Sequence, residues 1–271
     1  MSPYFVVEGG HRLGGTVRPA GNKNAALPIL AATLLADGPV VLHNVPHIRD
    51  VETMLDLLRA QNVRAQWRDE HTLEMDARAA SATDPDPVLC GKIRASILLA
   101  GPMLARFGRV RLPPPGGDVI GRRRIDTHLL ALGRLGAEIN VGATYDFEAK
   151  RLTGDDIFLD EASVTGTENA LMAAVAAKGR TVLRNAASEP HVQDTARFLV
   201  AMGASIEGIG TNTITIEGGR PLGGAEFTIG PDHIEIGSFI GLAAVTDSPI
   251  TIEGVRPDDL RATLVGFGKL G

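Results

Sequence analysis

The sequence predicts an α/β protein made of repeated units, with sheets outside and helices within. A common pattern starts at Asn24 and returns at Arg94, Asn169 and Phe239, at intervals of 70, 75 and 70 residues. A fixed period of this length marks a repeat architecture. Each unit opens with a stretch rich in Ala, Leu and Gly and nearly free of charge, such as "NAALPILAATLLADG" or "NALMAAVAAKG", which reads as a helix buried on most sides. Units close on segments such as "GAEINVGATYDFEA" and "GASIEGIGTNTITIEG", where apolar and polar residues alternate as in paired strands.

Taken in order, "YFVVE" (Tyr4 to Glu8) reads as a first strand, and the loop "RPAG" then feeds a helix that begins near Asn22 and that Pro28 bends by removing a hydrogen bond. A "VVL" or "TVL" strand follows, then an Asn-containing loop and a second helix. The second helices, "VETMLDLLRAQ" and "VQDTARFLVAM", carry charge on one face and should cover the outside. The unit is therefore βαβαββ. Three complete units predict one closed domain over 21–230, with 1–20 and 231–271 assigned to a second, partial domain. The fourth unit ends at "LVGFGKLG", before the strand pair that closes its predecessors, so the chain is expected to stop inside a repeat.

Composition narrows the function classes. With 271 residues, 44% of them hydrophobic, the chain can bury a sizeable core, and a net charge of −5 argues against a general nucleic-acid binder. A basic site must then be local, and Arg122, Arg123 and Arg124 form such a cluster. The single cysteine, Cys90, excludes an intramolecular disulfide framework and a cysteine-based zinc site, and no metal is expected. No segment reaches the roughly 18 apolar residues of a membrane span. The start lacks a basic stretch followed by a long apolar run, so a soluble cytoplasmic protein is expected.

Three places suit an anion. In "RPAGNKNAALP" a helix start offers unpaired N–H groups, and Lys23 beside Asn24 adds a full charge. On local grounds alone Asn22 is equally an ordinary cap and Lys23 a solvated lysine. Arg94 opens the second buried helix, at the position that Asn24 and Asn169 hold in their units; it could instead cap a neighbouring helix or pair with a carboxylate. The third place is "VRLPPPGGDVIGRRRID", where the second unit has an enlarged loop. Gly116, Gly117 and Gly121 permit turns that carry N–H groups toward a ligand, and Asp118 lies among them. The spacing matches neither a P-loop nor a dinucleotide fingerprint.

The motifs "GNKNAALPILAATLLADGPV", "IRASILLAGPMLARFG", "PGGDVIGRRRIDTH", "NAASEPHVQDTARFL" and "PDHIEIGSF" together resemble the enolpyruvyl transferases, from the first strand to the last residue. The resemblance implies an inside-out α/β barrel architecture of two three-unit domains with the active site in the cleft between them. It is nearest to the branch that moves enolpyruvate from phosphoenolpyruvate to the 3-hydroxyl of UDP-N-acetylglucosamine, releasing phosphate, at the first committed step of peptidoglycan synthesis. No cofactor is implied. Carried over by motif, Lys23, Asn24 and Arg123 would hold phosphoenolpyruvate. Arg94, the run Arg123, Arg124, Ile125, Asp126 and Thr127, and the turn at Ser163 and Val164 would contact the nucleotide sugar. Asp50 matches an acid near the catalytic cluster, although it reads locally as a helix-start charge. Asp118 would be the general acid on a mobile loop.

The chain departs from the family pattern in three ways. Many members carry cysteine where this chain has Asp118; an aspartate can supply a proton if its surroundings keep it protonated, but it cannot act as the thiol that fosfomycin alkylates. "RRR" replaces a more usual Ala-Arg-Pro, so the motif defines no role for Arg122 and carries Arg124 over only as part of its run. Finally, the family's second domain supplies a further acid and arginine that have no counterpart here, so these 271 residues alone are expected to be inactive. The competing expectations are the sister enzyme acting on shikimate 3-phosphate and a non-catalytic nucleotide-sugar binding module.

Overall fold

Small and apolar side chains on every face leave a helix no polar side to turn to water, so such helices must pack on one another. In the computed structural model, which describes residues 4–82, 84–117 and 124–270, they do so within a body running from Asn22 to Gly230. Residues up to Gly21 and from Pro231 onward form a second, separate body. The fold is mixed α/β.

In chain order the elements begin with β1 (Gly15–Val17), which belongs to the smaller body. The larger body starts with α1 (Lys23–Ala32), β2 (Val40–His43), α2 (Arg49–Ala60), β3 (Arg64–Trp67) and β4 (Leu73–Asp76). It continues with α3 (Pro87–Cys90), a 3₁₀ helix (Arg94–Leu99), α4 (Ala100–Phe107), β5 (Arg109–Leu112), α5 (Asp126–Arg134), β6 (Glu138–Val141) and β7 (Tyr145–Glu148). It ends with β8 (Asp156–Phe158), α6 (Val164–Ala174), β9 (Gly179–Arg184), α7 (Pro190–Ala201), β10 (Ser205–Glu207), β11 (Thr213–Gly218) and β12 (Ala225–Thr228).

Three sheets result, in the orders β12-β2-β4-β3, β5-β7-β6 and β10-β11-β9-β8. β12, last in the body, pairs in parallel with β2, near its start, in the register Ala225 opposite Val40. The Asn22 N–H donates to the Gly230 carbonyl at 2.9 Å, so the chain enters and leaves this body at one point. Asp194 of α7 fixes the exit by accepting the Gly230 N–H at 2.9 Å.

The 3₁₀ helix contacts α1, α4 and α6, α6 also contacts α1 and α4, and α1 from Ala25 and α6 from Gly166 are buried on all sides. Close approach needs small residues. A side chain at Gly101 would bring its Cβ to 2.6 Å from the Asn169 carbonyl, which only glycine avoids. By contrast α2 buries Val51, Met54, Leu55, Leu57 and Leu58 and turns its charges outward, the spacing of an amphipathic surface helix. Truncating one of these buried leucines to alanine costs about 2–5 kcal/mol.

Two local expectations need correcting. The helix read from Arg94 begins as 3₁₀ and becomes α only at Ala100. Pro102 has no N–H for the Leu98 carbonyl, so the chain ahead of it favours the tighter i to i+3 pattern. The strand read at Tyr4 to Glu8 does not form: Tyr4, Phe5, Val6 and Val7 are exposed and have no strand partner among the described residues. An apolar run becomes a strand only where another edge receives its N–H and C=O groups.

In the smaller body β1 pairs in parallel with β13 (Ile250–Ile252), Gly15 opposite Ile250. α8 (His233–Val245) is capped by the Asp232 carboxylate, and α9 (Arg261–Gly268) follows. α8 is strongly apolar yet buries only Ile236, leaving Ile234, Leu242 and Val245 exposed.

Candidate active site

Three helix starts of the larger body open onto one cavity of about 810 Å³. α1 brings Lys23 and Asn24, the 3₁₀ helix brings Arg94, and α6 brings Ser163 and Val164. The starts of α1 and α6 carry the partial positive charge of a helix N-terminus. The Asn22 side chain takes up the N–H groups of Asn24 and Ala25 at 2.8 and 3.3 Å. Ser163 caps α6 through the Gly166 N–H at 3.2 Å.

Lys23 is held by Asp50, whose Oδ2 accepts from Nζ at 3.0 Å. Both side chains are about two-fifths exposed, 45% and 40%, so the pair contributes at most about 1 kcal/mol. It therefore orients Lys23 without committing its charge, and an incoming phosphate or carboxylate can share the ammonium. Pro28, also at the cavity, cannot donate to the Asn24 carbonyl four residues earlier, which leaves that oxygen without its usual helical donor.

Arg94 reaches across to the Arg124 carbonyl, donating from Nη2 at 3.1 Å. The Arg124 guanidinium is paired with Asp126, so its charge is already partly neutralised. Ile125 is buried in the core, and the Thr127 hydroxyl donates to Asp160 at 2.7 Å. Among the described residues of that run Arg124 alone lines the cavity; Ile125, Asp126 and Thr127 form the start of α5. Asp118, Arg123 and Gly121 lie outside the described residues.

The glycine loop departs from its expected use. Gly116 donates to the Cys90 carbonyl at 3.2 Å and Gly117 to the Gly91 carbonyl at 3.4 Å, so neither N–H is offered to a ligand. A side chain at Gly116 would overlap the Gly91 carbonyl, and one at Gly117 would bring its Cβ to 2.9 Å from the Arg94 nitrogen. These glycines bring two backbones together beside Arg94. Cys90 is fully buried, and burial pushes its thiol up to about 11, so it stays an inert packed group.

Sequence reasoning missed Lys92, Glu161, Thr165, Glu168 and His191, which also line the cavity. Glu168 carried a readable signal, being the one ionisable residue inside the otherwise small and apolar α6. It is 1% exposed, and burial raises its carboxyl well above the usual 4.5. Thr165 is placed by a buried relay. Asn169 accepts the Gly101 N–H and donates to the Ile97 carbonyl and to His128 Nδ1, each at 2.8 Å. Nδ1 is thus the acceptor, the proton sits on Nε2, and Nε2 donates to Thr165 Oγ1 at 3.0 Å. The Thr165 proton remains available to another acceptor.

A cavity with basic side chains, framed by helix starts of a mixed α/β body, defines a class. The profile described as EPSP synthase (3-phosphoshikimate 1-carboxyvinyltransferase) matches residues 7–269, and the chain belongs to that family of enolpyruvyl transferases. Among individual proteins, the chain is 61% identical to the UDP-N-acetylglucosamine 1-carboxyvinyltransferase of Bradyrhizobium diazoefficiens, over 100% of this chain and 63% of that protein. It is 52% identical to the enzyme of the same name from Treponema pallidum, over 100% and 64% respectively. The chain thus spans a little under two thirds of the length of these curated relatives. Among solved structures it resembles the enolpyruvyl transferase NikO from Streptomyces tendae, at 27% identity and a TM-score of 0.83, covering 97% of this chain and 62% of that one. An EPSP synthase from Acinetobacter baumannii shares the fold, at 20% identity and a TM-score of 0.73, covering 91% and 57%.

Proposed function

We propose that the full-length protein transfers enolpyruvate from phosphoenolpyruvate to the 3-hydroxyl of UDP-N-acetylglucosamine and releases phosphate, the first committed step of peptidoglycan synthesis, in the cytoplasm. The observation that carries this reading is the convergence of Lys23, Asn24, Arg94 and the Ser163 turn on one cavity. Two anionic substrates have to meet there, and helix-start dipoles with a local cluster of cationic side chains stabilise them without neutralising the acidic surface elsewhere. The 61% identity to a nucleotide-sugar enzyme, against 20% to the EPSP synthase structure, favours UDP-N-acetylglucosamine over shikimate 3-phosphate as acceptor.

In this reading Lys23 holds phosphoenolpyruvate with Asn24 and Arg123. Lys23 is a catalytic residue because phosphate charge redistributes against it as the ester bond breaks. Arg94, Arg124, Ser163 and Val164 hold the nucleotide sugar, and Asp126 and Thr127 keep Arg124 and α5 in register. Asp118 protonates the methylene carbon, a role assigned by motif alone. The body from 22 to 230 is one complete three-unit domain of an inside-out barrel, and the flanking segments are part of a second. The apolar side chains exposed on α8 support the last point, since they need a cover.

The deciding experiment measures phosphate release by the full-length protein from phosphoenolpyruvate with each acceptor. Release with UDP-N-acetylglucosamine and none with shikimate 3-phosphate is expected. The opposite pattern would reassign the acceptor, and binding of the nucleotide sugar without any release would make the protein a binding module.

A further inference from the structure

Glu168 is a carboxyl where a carboxyl is expensive: in the middle of a buried helix, 1% exposed, with Oε1 lacking a hydrogen-bond partner among the described residues. An unmet buried polar atom is destabilising, so the residue weakens the empty fold. It lies three and four residues beyond Thr165 and Val164, on the same face of α6, and with them lines the cavity. The chemistry of its two oxygens differs. Burial favours the protonated form. Its O–H can be given to the Thr195 hydroxyl, whose own proton is engaged with the His191 carbonyl at 3.2 Å. Oε1 then remains as a bare acceptor. Oε1 is closed to solvent contact in this state, so a ligand group meets it after a rotation of the carboxyl toward the cavity.

We propose that Glu168 is a specificity-determining residue whose Oε1 accepts a hydrogen bond from a hydroxyl or amide N–H of the acceptor substrate in the cavity. The inference rests on the functional reading above and extends it to a residue outside the family motifs. Phosphoenolpyruvate has only acceptor and anionic oxygens, which a carbonyl oxygen repels. The amino-sugar nucleotide carries hydroxyls and an acetamido N–H, so of the two substrates only it can satisfy Oε1. Glu168 would therefore admit the sugar and turn phosphoenolpyruvate toward the Lys23 end.

The test compares wild type, Glu168→Gln and Glu168→Val in the full-length protein by calorimetric titration with UDP-N-acetylglucosamine and, separately, phosphoenolpyruvate. Thermal melts first establish that each variant is folded. Glu168→Gln keeps a carbonyl acceptor and an N–H for Thr195 and should bind the nucleotide sugar within about threefold of wild type. Glu168→Val should weaken it about tenfold, the equivalent of roughly 1.4 kcal/mol, and leave phosphoenolpyruvate within about twofold. The infrared carbonyl band of the protonated carboxyl, identified by its loss in Glu168→Gln, should shift on adding the nucleotide sugar and not on adding phosphoenolpyruvate. Equal nucleotide-sugar affinity in wild type and Glu168→Val, or a band that stays put while the sugar binds, overturns the inference alone. Equal weakening toward both ligands also overturns it, as the mark of general damage. A wild-type protein that binds no nucleotide sugar overturns the functional reading, and this inference with it, before any variant is compared.

Discussion

Asn169 Nδ2 donates to His128 Nδ1 at 2.8 Å, and this contact ties α6 to α5 behind the cavity. The same amide also serves Gly101 and Ile97, so one side chain joins α6 to three other elements, α5, α4 and the 3₁₀ helix. Replacing Asn169 with Leu fills the space but leaves the Gly101 N–H, the Ile97 carbonyl and His128 Nδ1 unmet in a dry interior. We expect a loss of about 3 kcal/mol or more in urea denaturation, against under about 1 kcal/mol for a solvent-facing asparagine. A loss under 1 kcal/mol would show that water reaches these groups.

The pH dependence of stability follows from two buried groups of opposite sign. Burial, with a smaller contribution from the Arg94 charge, lowers His128 from its ordinary 6.5 to about 4. Its folded value lies below its unfolded one, so the unfolded chain binds the extra proton. Stability from this group is whole above about pH 6.5 and falls as pH drops toward 4, by roughly 3 kcal/mol at about 1.4 per unit. Glu168 is raised, so the folded state binds its proton more tightly and stability declines as pH rises above the unfolded value of 4.5. Glu168→Gln should thus be more stable than wild type at pH 8 and lose that advantage at pH 4. His128→Phe should flatten the acid limb. Denaturation midpoints across pH 4–8 check both, and parallel curves for wild type and variants would refute the assignments.

Lys23→Ala in the full-length protein should nearly abolish phosphate release. A lysine against the departing phosphate commonly contributes several kcal/mol to the transition state. Asp50→Asn, which removes only a half-exposed partner, should cost far less. Activity of Lys23→Ala within about threefold of wild type, roughly 0.7 kcal/mol, would return Lys23 to a solvated surface lysine.

Gly116→Ala should disturb the Arg94 corner, because its methyl group would occupy the place of the Gly91 carbonyl. We expect about 1–3 kcal/mol of destabilisation and weaker nucleotide-sugar binding. Gly142→Ala, at a position with open space around it, is the control and should leave both unchanged. Equal behaviour of the two variants would mean that the loop does not need this contact.

Asp118 predicts resistance to fosfomycin, because a carboxylate opens an epoxide far more slowly than a thiolate. The full-length protein should turn over and yield no adduct in intact-mass spectra after incubation with the drug. Asp118→Cys should become sensitive, and Asp118→Asn should lose roughly two orders of magnitude or more in rate if proton transfer limits turnover. An adduct on the Asp118 protein that maps to this loop would show that the residue is misassigned.

By itself the sequence determined the α/β class, the charge-poor buried helices and the helix starts near Lys23 and at Arg94. All of these are written in local periodicity and capping chemistry, which act between residues close in the chain. Only the tertiary structure decided which groups share a cavity. Gly116 and Gly117 read equally well as a ligand cradle until Cys90 and Gly91 take their N–H groups. "YFVVE" reads as a strand, but among the described residues no edge pairs with it. Glu168 and His191 come from different helices, and nothing in their spacing shows that they line one cavity. Burial and the pairing of distant N–H and C=O groups are set by the whole packed chain, so the cost of an ionisable group, and hence its chemistry, appears only once the helices have closed around it.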